Sequence, residues 1–233
     1  MILEAKNVSY YYKSQRDKLI LDNVSYGFEC GKLYAILGPS GSGKTTLLSL
    51  LTGLDVPIQG EICYDGKPIT TKDLAEHRRH HISLVFQSYN LWPHMTIYEN
   101  LAFGLKLHNL IDYLTPLENV KLGGKGDPKA LLGSMGIGEE YWNRSVLQLS
   151  GGQQQRVAIA RALASDAKVL LADEPTGNLD EATAWDVIDL LKHIAHEDKK
   201  CVIVVTHSKE LAQAADEVIH IGSIHAASSK PNF

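Results

Sequence analysis

The stretch Gly38-Pro-Ser-Gly-Ser-Gly-Lys-Thr-Thr46 decides the fold of this chain, because it satisfies the phosphate-binding pattern G-x-x-x-x-G-K-[ST]. It follows the apolar run Leu33-Tyr-Ala-Ile-Leu37 and precedes leucines at helical spacing. A strand, a glycine-rich loop and a helix in that order let backbone amides and a helix N-terminus surround an anion. The alternative, an ordinary Gly-Ser turn, is disfavoured by the strand and helix on either side. The loop therefore predicts a phosphate site.

Two side chains of this loop and two acidic residues carry specific expectations. Lys44 is expected to reach the β- and γ-phosphates of a nucleotide, and the Thr45 hydroxyl to ligate Mg²⁺. A second buried run, Val169-Leu-Leu-Ala172, ends in Asp173 and Glu174. Asp173 is expected to hold Mg²⁺ directly or through water, and Glu174 to orient and deprotonate an attacking water. Paired with the phosphate loop, this acidic strand end predicts a phosphoryl-transfer site.

Buried-strand patterns recur along the chain and favour an α/β fold. Further apolar runs lie at 82–86, 168–172 and 201–206, and residues 181–198 between the last two have helical periodicity. Strands without alternation, joined by a helix, indicate a parallel sheet covered by helices. Strand-like segments within 2–66 predict an antiparallel flank. Shorter amphipathic pieces broken by Pro and Gly predict a helical subdomain at 91–148, inserted into a catalytic core of 1–90 and 149–233 within one domain, 1–233.

Composition and charge narrow the classes of function. The chain has 233 residues, a formal net charge of -4 and a pI of about 6.2, so no overall cationic field favours nucleic acid. The first residues leave no room for the apolar core of a secretion signal, and no run approaches the length that spans a bilayer. Cys30, Cys63 and Cys201 are too scattered for a disulfide framework or a metal pair. We expect a cytoplasmic protein that binds no nucleic acid and acts at most peripherally on a membrane.

A five-residue loop, Leu149-Ser-Gly-Gly-Gln153, identifies a family. By composition alone it is a helix-capping loop. It also resembles the signature motif of ATP-binding cassette (ABC) transporter ATPases, and the resemblance covers nearly the whole chain. The resemblance implies an α/β P-loop NTPase fold with a parallel RecA-like sheet, an antiparallel β flank and an inserted helical subdomain. In that family the signature loop contacts the γ-phosphate bound to the other subunit, which implies a homodimer with ATP sandwiched between the chains.

The remaining motifs of the family occur in the same order. Gln87 resembles the Q-loop glutamine, which senses Mg²⁺ and couples to the membrane partner. His207 resembles the switch histidine, which contacts the γ-phosphate and orients the glutamate at position 174. The segment Asn178-Leu-Asp180 resembles the D-loop at the dimer interface. Tyr12 is the candidate for the aromatic residue that stacks on adenine, with neighbouring Tyr10 and Tyr11 leaving its register open.

Together these motifs define a predicted site. The expected catalytic residues are Glu174, His207 and Gln87. The expected metal ligands are Thr45, Gln87 and Asp173. The expected nucleotide contacts are Tyr12, Gly38, Pro39, Ser40, Gly41, Ser42, Gly43, Lys44, Thr45, Thr46, Ser150, Gly151, Gly152, Gln153 and Asp180.

Two segments point to a branch of the family. Asp173-Glu-Pro-Thr-Gly-Asn-Leu-Asp180 and Gln153-Gln-Gln-Arg-Val-Ala158 resemble the branch of lipoprotein-release, macrolide-export and antimicrobial-peptide-export ATPases, with a cell-division relative. The resemblance implies a subunit on the inner face of the cell membrane that uses ATP and Mg²⁺ to drive a separate permease, through which it reaches a periplasmic or extracellular adaptor. Export or extraction of peptide, drug or lipoprotein is favoured. Transmembrane signalling, import, and a soluble regulatory or DNA-associated ATPase stay open as alternatives.

The middle of the chain contains an internal similarity. A shift of nineteen positions aligns Asn90-Leu91, Thr96, Glu99-Asn100 and Gly104 with Asn109-Leu110, Thr115, Glu118-Asn119 and Gly123. Two helix starts with Thr-x-x-Glu capping boxes would explain this by coincidence. Six ordered identities favour a duplication or insert at 91–109, natural or engineered. Residues 91–107 also resemble sugar- or polyamine-importer ATPases, against the exporter signal elsewhere.

Two charged groups outside the motifs receive plainer expectations. Arg156 and Arg161, on the helix after the signature loop, are expected to be solvated or interface charges. The histidine-rich run His77-Arg-Arg-His-His81 lacks a metal-binding context and is expected to be a polar loop before a strand.

Overall fold

The structure, a computed structural model, describes residues 1–12, 18–86, 115–121, 127–144 and 148–221. Two β-sheets organise these residues. The first is antiparallel, and its strands are β1 (Leu3–Tyr10), β2 (Leu21–Phe28), β4 (Gln59–Tyr64) and β5 (Lys67–Pro68). Their order in the sheet is β2-β1-β4-β5. This sheet is the antiparallel flank that the sequence predicted within 2–66.

The second sheet is parallel and forms the centre of the molecule. Its strands are β3 (Leu33–Leu37), β6 (Ile82–Phe86), β7 (Val169–Asp173), β8 (Cys201–Val205) and β9 (Glu217–His220). They lie in the order β6-β7-β8-β3-β9, and every neighbouring pair is parallel. All five residues of β8 are buried, as expected for a strand covered on both faces. The predicted α/β fold is confirmed.

Helices cover this sheet. They are α1 (Lys44–Leu51), α2 (Leu74–Glu76), α3 (Pro116–Lys121), α4 (Pro128–Ser134), α5 (Gly151–Leu163), α6 (Glu181–His196) and α7 (Lys209–Ala214). A π-helical turn (His77–His81) and a 3-10 turn (Glu139–Tyr141) complete the described helical segments. One apolar layer packs α1 between the two sheets, and a second packs α5 and α6 on the opposite face of the parallel sheet. Within the described ranges, no helix is long and apolar enough to cross a bilayer.

The register of the parallel sheet gathers the predicted motifs at one edge. Asp173, the last residue of β7, pairs with Val205, the last residue of β8, and Val205 pairs with Ile36 near the end of β3. Residues that follow parallel strands lie at the same edge of the sheet, where open α/β folds bind their ligands. The phosphate loop, Glu174 and His207 each follow one of these strands. The sheet therefore brings the three together.

Two expectations about charged residues were wrong. Arg161 is fully buried, because α5 packs against β6, α3, α4 and α6, and burial lowers the pKa of its guanidinium to about 10. The run at 77–81 is a π-helical turn whose first residue, His77, is fully buried. The Nε2 atom of His77 lies 2.9 Å from the carbonyl oxygen of Leu51, and the His81 ring stacks on Tyr64 with ring centroids 3.8 Å apart. Packing against the end of α1 replaces the expected solvent exposure.

The predicted subdomain at 91–148 is only partly within the described residues. Helices α3 and α4 and the 3-10 turn fall inside it, and α3 and α4 both pack on α5. Residues 91–109, the predicted duplication, and Gln87 lie outside the described residues. The domain boundaries therefore stay a prediction.

Candidate functional site

The phosphate loop is shaped by two glycines that have no room for a side chain. Gly43 is the N-cap of α1 and has a φ of 96°, a left-handed conformation that L-residues with a side chain disfavour. A Cβ on Gly38 would lie 2.6 Å from the Ser42 Oγ and 2.8 Å from the Ile221 Cγ2. The loop therefore closes tightly on itself before α1 begins, where the first amides of a helix have no acceptor within that helix.

A buried ammonium group and a buried hydroxyl lie inside this loop. Lys44 is only 7% exposed, and its Nζ donates hydrogen bonds to the carbonyl oxygens of Gly38 at 2.7 Å and Pro39 at 3.1 Å. The Ser42 hydroxyl oxygen is buried and, among the described residues, has no hydrogen-bond partner. An ammonium group, a buried unpaired hydroxyl and the N-terminus of α1 together make a site for phosphate oxygens. The loop fits the phosphates of a nucleotide.

Asp173 supplies a partly buried carboxylate at the sheet edge beside the phosphate loop. The pKa of Asp173 is raised to about 6, first by burial and then by the neighbouring Glu174 carboxylate, while Lys44 and His207 act in the opposite direction. No three His, Cys, Asp or Glu side chains in the described ranges converge to form a metal cage. Mg²⁺ is typically held by one or two carboxylates together with substrate phosphates and water, so a single partly buried carboxylate fits this ion.

Glu174 is fixed by the ends of two strands. Its backbone has a φ of 48°, and its amide donates to the carbonyl oxygen of Val205 at 2.8 Å. The Glu174 Oε2 accepts hydrogen bonds from the Thr206 hydroxyl at 3.2 Å and from the His207 amide at 3.1 Å. The His207 Nε2 lies 3.5 Å from the Glu174 Oε1. A non-glycine residue in this sparsely populated conformation is typical of functional sites, and here it directs a carboxylate towards the same sheet edge as Asp173.

The loop at 149–153 is a capped helix start, as its composition predicted. Ser150 is the N-cap of α5, and it exchanges hydrogen bonds with Gln153 in a capping box. Asp180 caps α6, accepting from the Thr183 amide at 3.1 Å and the Thr183 hydroxyl at 2.7 Å, and these bonds lower the pKa of its carboxyl. Among the described residues, no hydrogen bond joins Ser150 or Gln153 to the phosphate loop. The signature loop and the D-loop segment are neighbours, since an added Cβ on Gly151 would lie 3.6 Å from the Leu179 Cδ2.

Tyr12 lies beside the phosphate loop. Its hydroxyl is 2.8 Å from the Thr46 Oγ1 in the first turn of α1, and the residue is 40% exposed. Tyr10 is buried and its ring is perpendicular to that of Tyr12. An aromatic ring that is held at its hydroxyl end and open to solvent elsewhere can receive a nucleotide base. Tyr12 therefore stays the predicted contact for the base.

Sequence reasoning missed two residues that shape the site. Thr206 holds Glu174, and the Thr183 methyl packs against Gly152, where an added Cβ would lie 2.0 Å from the Thr183 Cγ2. Thr206 carried a weak signal, as the polar residue that ends a strongly apolar run directly before His207. Thr183 carried none, because its contact with Gly152 joins residues far apart in the chain.

A glycine-rich phosphate loop, an acidic strand end and a histidine at one edge of a parallel sheet define a P-loop nucleotide hydrolase. The sequence profile of the family described as ABC transporter matches residues 21–177. The chain belongs to this family, and it is an ABC ATPase.

Relatives and solved structures agree with this membership. The uncharacterised ABC transporter ATP-binding protein YclH of Bacillus subtilis is 41% identical over 92% of this chain and 91% of its own length. The lipoprotein-releasing system ATP-binding protein LolD 2 of Rhodopirellula baltica is 37% identical over 93% and 85%. A dimeric post-hydrolysis structure of the ATP-binding cassette MJ0796, bound to ADP and Pi, superposes with a TM-score of 0.71 at 37% identity, covering 94% of both chains. The expected resemblance to the lipoprotein-release branch is confirmed.

Proposed function

We propose that two copies of this chain close around two MgATP molecules and hydrolyse them to drive a separate membrane permease. One observation carries the proposal. The Glu174 carboxylate is fixed by Thr206 and His207 at the sheet edge that also holds the phosphate loop and Asp173. A fixed carboxylate, a second carboxylate suited to Mg²⁺ and a buried lysine are the groups that phosphoryl transfer requires.

The phosphate loop binds and orients the nucleotide in this proposal. Lys44 exchanges its bonds to the Gly38 and Pro39 carbonyls for the β- and γ-phosphates, and the first amides of α1 add further donors. The Thr45 hydroxyl, Asp173 and Gln87 would hold Mg²⁺, and the ion would supply positive charge that offsets the charge of the phosphates. The ring of Tyr12 stacks on adenine.

Hydrolysis depends on Glu174 and His207. Glu174 takes a proton from the attacking water, whose oxygen forms the new bond to the γ-phosphorus while the bond to the β,γ-bridging oxygen breaks. Thr206 keeps the carboxylate of Glu174 in place, since its hydroxyl donates to Oε2. His207 is 54% exposed in its side chain, so it is open to the γ-phosphate and also within 3.5 Å of Glu174.

In this proposal, dimer formation supplies the remaining contacts to ATP. Ser150 caps the N-terminus of α5, whose first turn contains Gly151, Gly152 and Gln153. Among the described residues, Ser150 and Gln153 make no hydrogen bond to the phosphate loop of the same chain. Two such positive helix ends facing two phosphate loops would repel each other without nucleotide. ATP phosphates neutralise both, so nucleotide favours closure and hydrolysis weakens it. Asp180, at the start of α6, lies beside the signature loop and belongs to the same proposed interface.

We propose export or extraction of a peptide, drug or lipoprotein as the transport step. The lipoprotein alternative transfers to the chain what the name of the 37% identical LolD 2 says of that protein, a lipoprotein-releasing system. The peptide and drug alternatives rest on the exporter-type segments at 153–158 and 173–180. The chain would then act on the cytoplasmic face of the membrane, with the permease contacting any adaptor outside it. Signalling across the membrane without transport is the second candidate, supported by the same branch of the family. Import is favoured only by residues 91–107, outside the described residues.

Purification of the chain from detergent-solubilised membranes of its source cells tests the partner. The Glu174→Gln variant with ATP is the bait, and Lys44→Ala is the matched control that should not close around nucleotide. We expect a protein with several membrane spans to co-purify with the first variant only. After this membrane protein is reconstituted in vesicles, it should raise the ATPase activity of the wild-type chain. Equal recovery with both variants, and an ATPase activity indifferent to the membrane protein, would contradict the proposal.

A further inference from the structure

Four side chains connect the end of β1 to the first turn of the phosphate-loop helix α1 and to the residues that follow this helix. The Tyr10 hydroxyl donates a hydrogen bond to the Asp55 carboxylate, which follows α1 in the chain. The rings of Tyr10 and Tyr12 are perpendicular, with centroids 5.3 Å apart. The Tyr12 hydroxyl is 2.8 Å from the Thr46 Oγ1, in the first turn of α1. The Tyr12 ring is thus held at its hydroxyl by the first turn of α1, and its side packs against the Tyr10 ring, which Asp55 anchors beyond the end of the same helix.

The two tyrosines differ in exposure, which separates their roles. Tyr10 is 7% exposed and packs in the apolar layer between the sheets, whereas Tyr12 is 40% exposed. Burial and the Asp55 carboxylate both raise the pKa of Tyr10, so its phenol stays a neutral donor at physiological pH. Tyr10 is therefore a fixed support that has little surface for a ligand, and Tyr12 is the ring that offers one.

Residue Tyr12 has little support from the main chain. Strand β1 ends at Tyr10, so Tyr12 lies two residues beyond the last strand residue. A tyrosine outside regular structure can rotate about two side-chain bonds, and ordering it on binding lowers affinity. A perpendicular ring partner and a hydroxyl anchor remove much of that freedom in advance.

We propose that Tyr10, anchored by Asp55, is a positioning residue that holds the Tyr12 ring ready to stack on the nucleotide base. This inference rests on the proposed function, in which Tyr12 contacts adenine. Tyr10 does not touch the phosphates, so it favours nucleotides over ligands that carry phosphates without a base. Asp55 acts one step further away, by fixing the Tyr10 hydroxyl.

Binding of ADP and of inorganic pyrophosphate, both with Mg²⁺, separates this role from a general effect on the loop. Calorimetric dissociation constants would be measured for wild type, Tyr10→Phe, Tyr10→Leu and Tyr12→Ala, with Tyr11→Phe as the matched control. The Phe variant keeps the ring and loses the Asp55 bond, and the Leu variant loses both. We expect ADP to bind about 2- to 3-fold more weakly to Tyr10→Phe and about 3- to 10-fold more weakly to Tyr10→Leu. Pyrophosphate affinity should stay within about two-fold of wild type in every variant, since the phosphate loop is unchanged.

Two results would overturn the inference. One is wild-type ADP affinity in both Tyr10 variants while Tyr12→Ala weakens ADP, which leaves the proposed function intact. The other is an equal loss of ADP and pyrophosphate affinity in the Tyr10 variants, which would show a structural effect on the loop. An ADP affinity unchanged in Tyr12→Ala would remove the base contact itself, and with it both the proposed role of Tyr12 and the inference.

Discussion

Thr183 occupies the space that a side chain at Gly152 would need: a Cβ on Gly152 would lie 2.0 Å from the Thr183 Cγ2. The Thr183 side chain cannot easily turn away, because its hydroxyl is bonded to Asp180 at 2.7 Å. The contact locks the first turn of α5, which carries the signature loop, against the first turn of α6. Glycine at 152 is therefore required by packing inside one chain, whatever its role between chains.

Gly152→Ala should lower the free energy of unfolding by about 1–3 kcal/mol, the usual cost of overpacking. Thr183→Ser should restore most of this loss in the double variant, since serine keeps the hydroxyl and lacks the methyl group. Gly151→Ala is the matched control: its added Cβ would be 3.6 Å from the Leu179 Cδ2, an ordinary contact. Urea unfolding measures all four proteins. A double variant no more stable than Gly152→Ala alone would show that the Thr183 methyl is not the cause.

The buried His77 predicts an acid-sensitive fold. Burial lowers the pKa of His77 to about 4 from an ordinary value of 6.5, with His81 and Arg78 adding to the shift and the bond to Leu51 opposing it. A histidine with a depressed pKa contributes stability that is full above pH 6.5 and is lost as pH falls towards 4. Integration of the linkage gives a loss of about 2 kcal/mol between about pH 7.5 and pH 5.

His77→Gln should remove most of that pH dependence. Glutamine can still donate a hydrogen bond to the Leu51 carbonyl but does not titrate. The variant should therefore be less stable than wild type at pH 7.5 and nearly as stable as wild type at pH 5. His80→Gln is the control, because the His80 side chain is 55% exposed. The measurement is the free energy of unfolding in urea at both pH values. If wild type and His77→Gln lose equal stability on acidification, His77 is not the buried neutral group described.

Residues 91–109 are predicted to be dispensable for folding. Their deletion joins Gln87-Ser-Tyr-Asn90 directly to Leu110-Ile-Asp-Tyr113, which gives a continuous segment that resembles exporter-type members of the family. We expect the shortened chain to unfold cooperatively and to bind ADP within about two-fold of wild type. Deletion of 110–128, the other aligned copy, is the control of equal length, and it should prevent folding because it removes α3 with its buried Val120. Failure of the first deletion to fold would refute the dispensable insert.

Local patterns in the sequence predicted much of the fold and most candidate residues. The phosphate loop, the Ser150 cap and the buried strands depend on residues close in the chain, whose backbone and hydrophobic preferences are readable directly. Contacts between distant residues were not readable in this way. The charge of Arg161 predicted an exposed or interface side chain, whereas this residue is buried in a helix that packs on four other elements. The Tyr10–Asp55 bond likewise joins residues 45 apart. Parallel strand order likewise follows from tertiary packing, which no local pattern specifies.

The most direct test of the central claim is the oligomeric state and turnover of Glu174→Gln with MgATP. The amide cannot accept the proton of the attacking water, so turnover should fall about 100-fold or more while the phosphate loop still binds ATP. Sedimentation should then show a stable dimer that dissociates when ATP is removed, and Glu197→Gln, at an exposed site, should behave as wild type. A monomer with unchanged turnover would contradict the account.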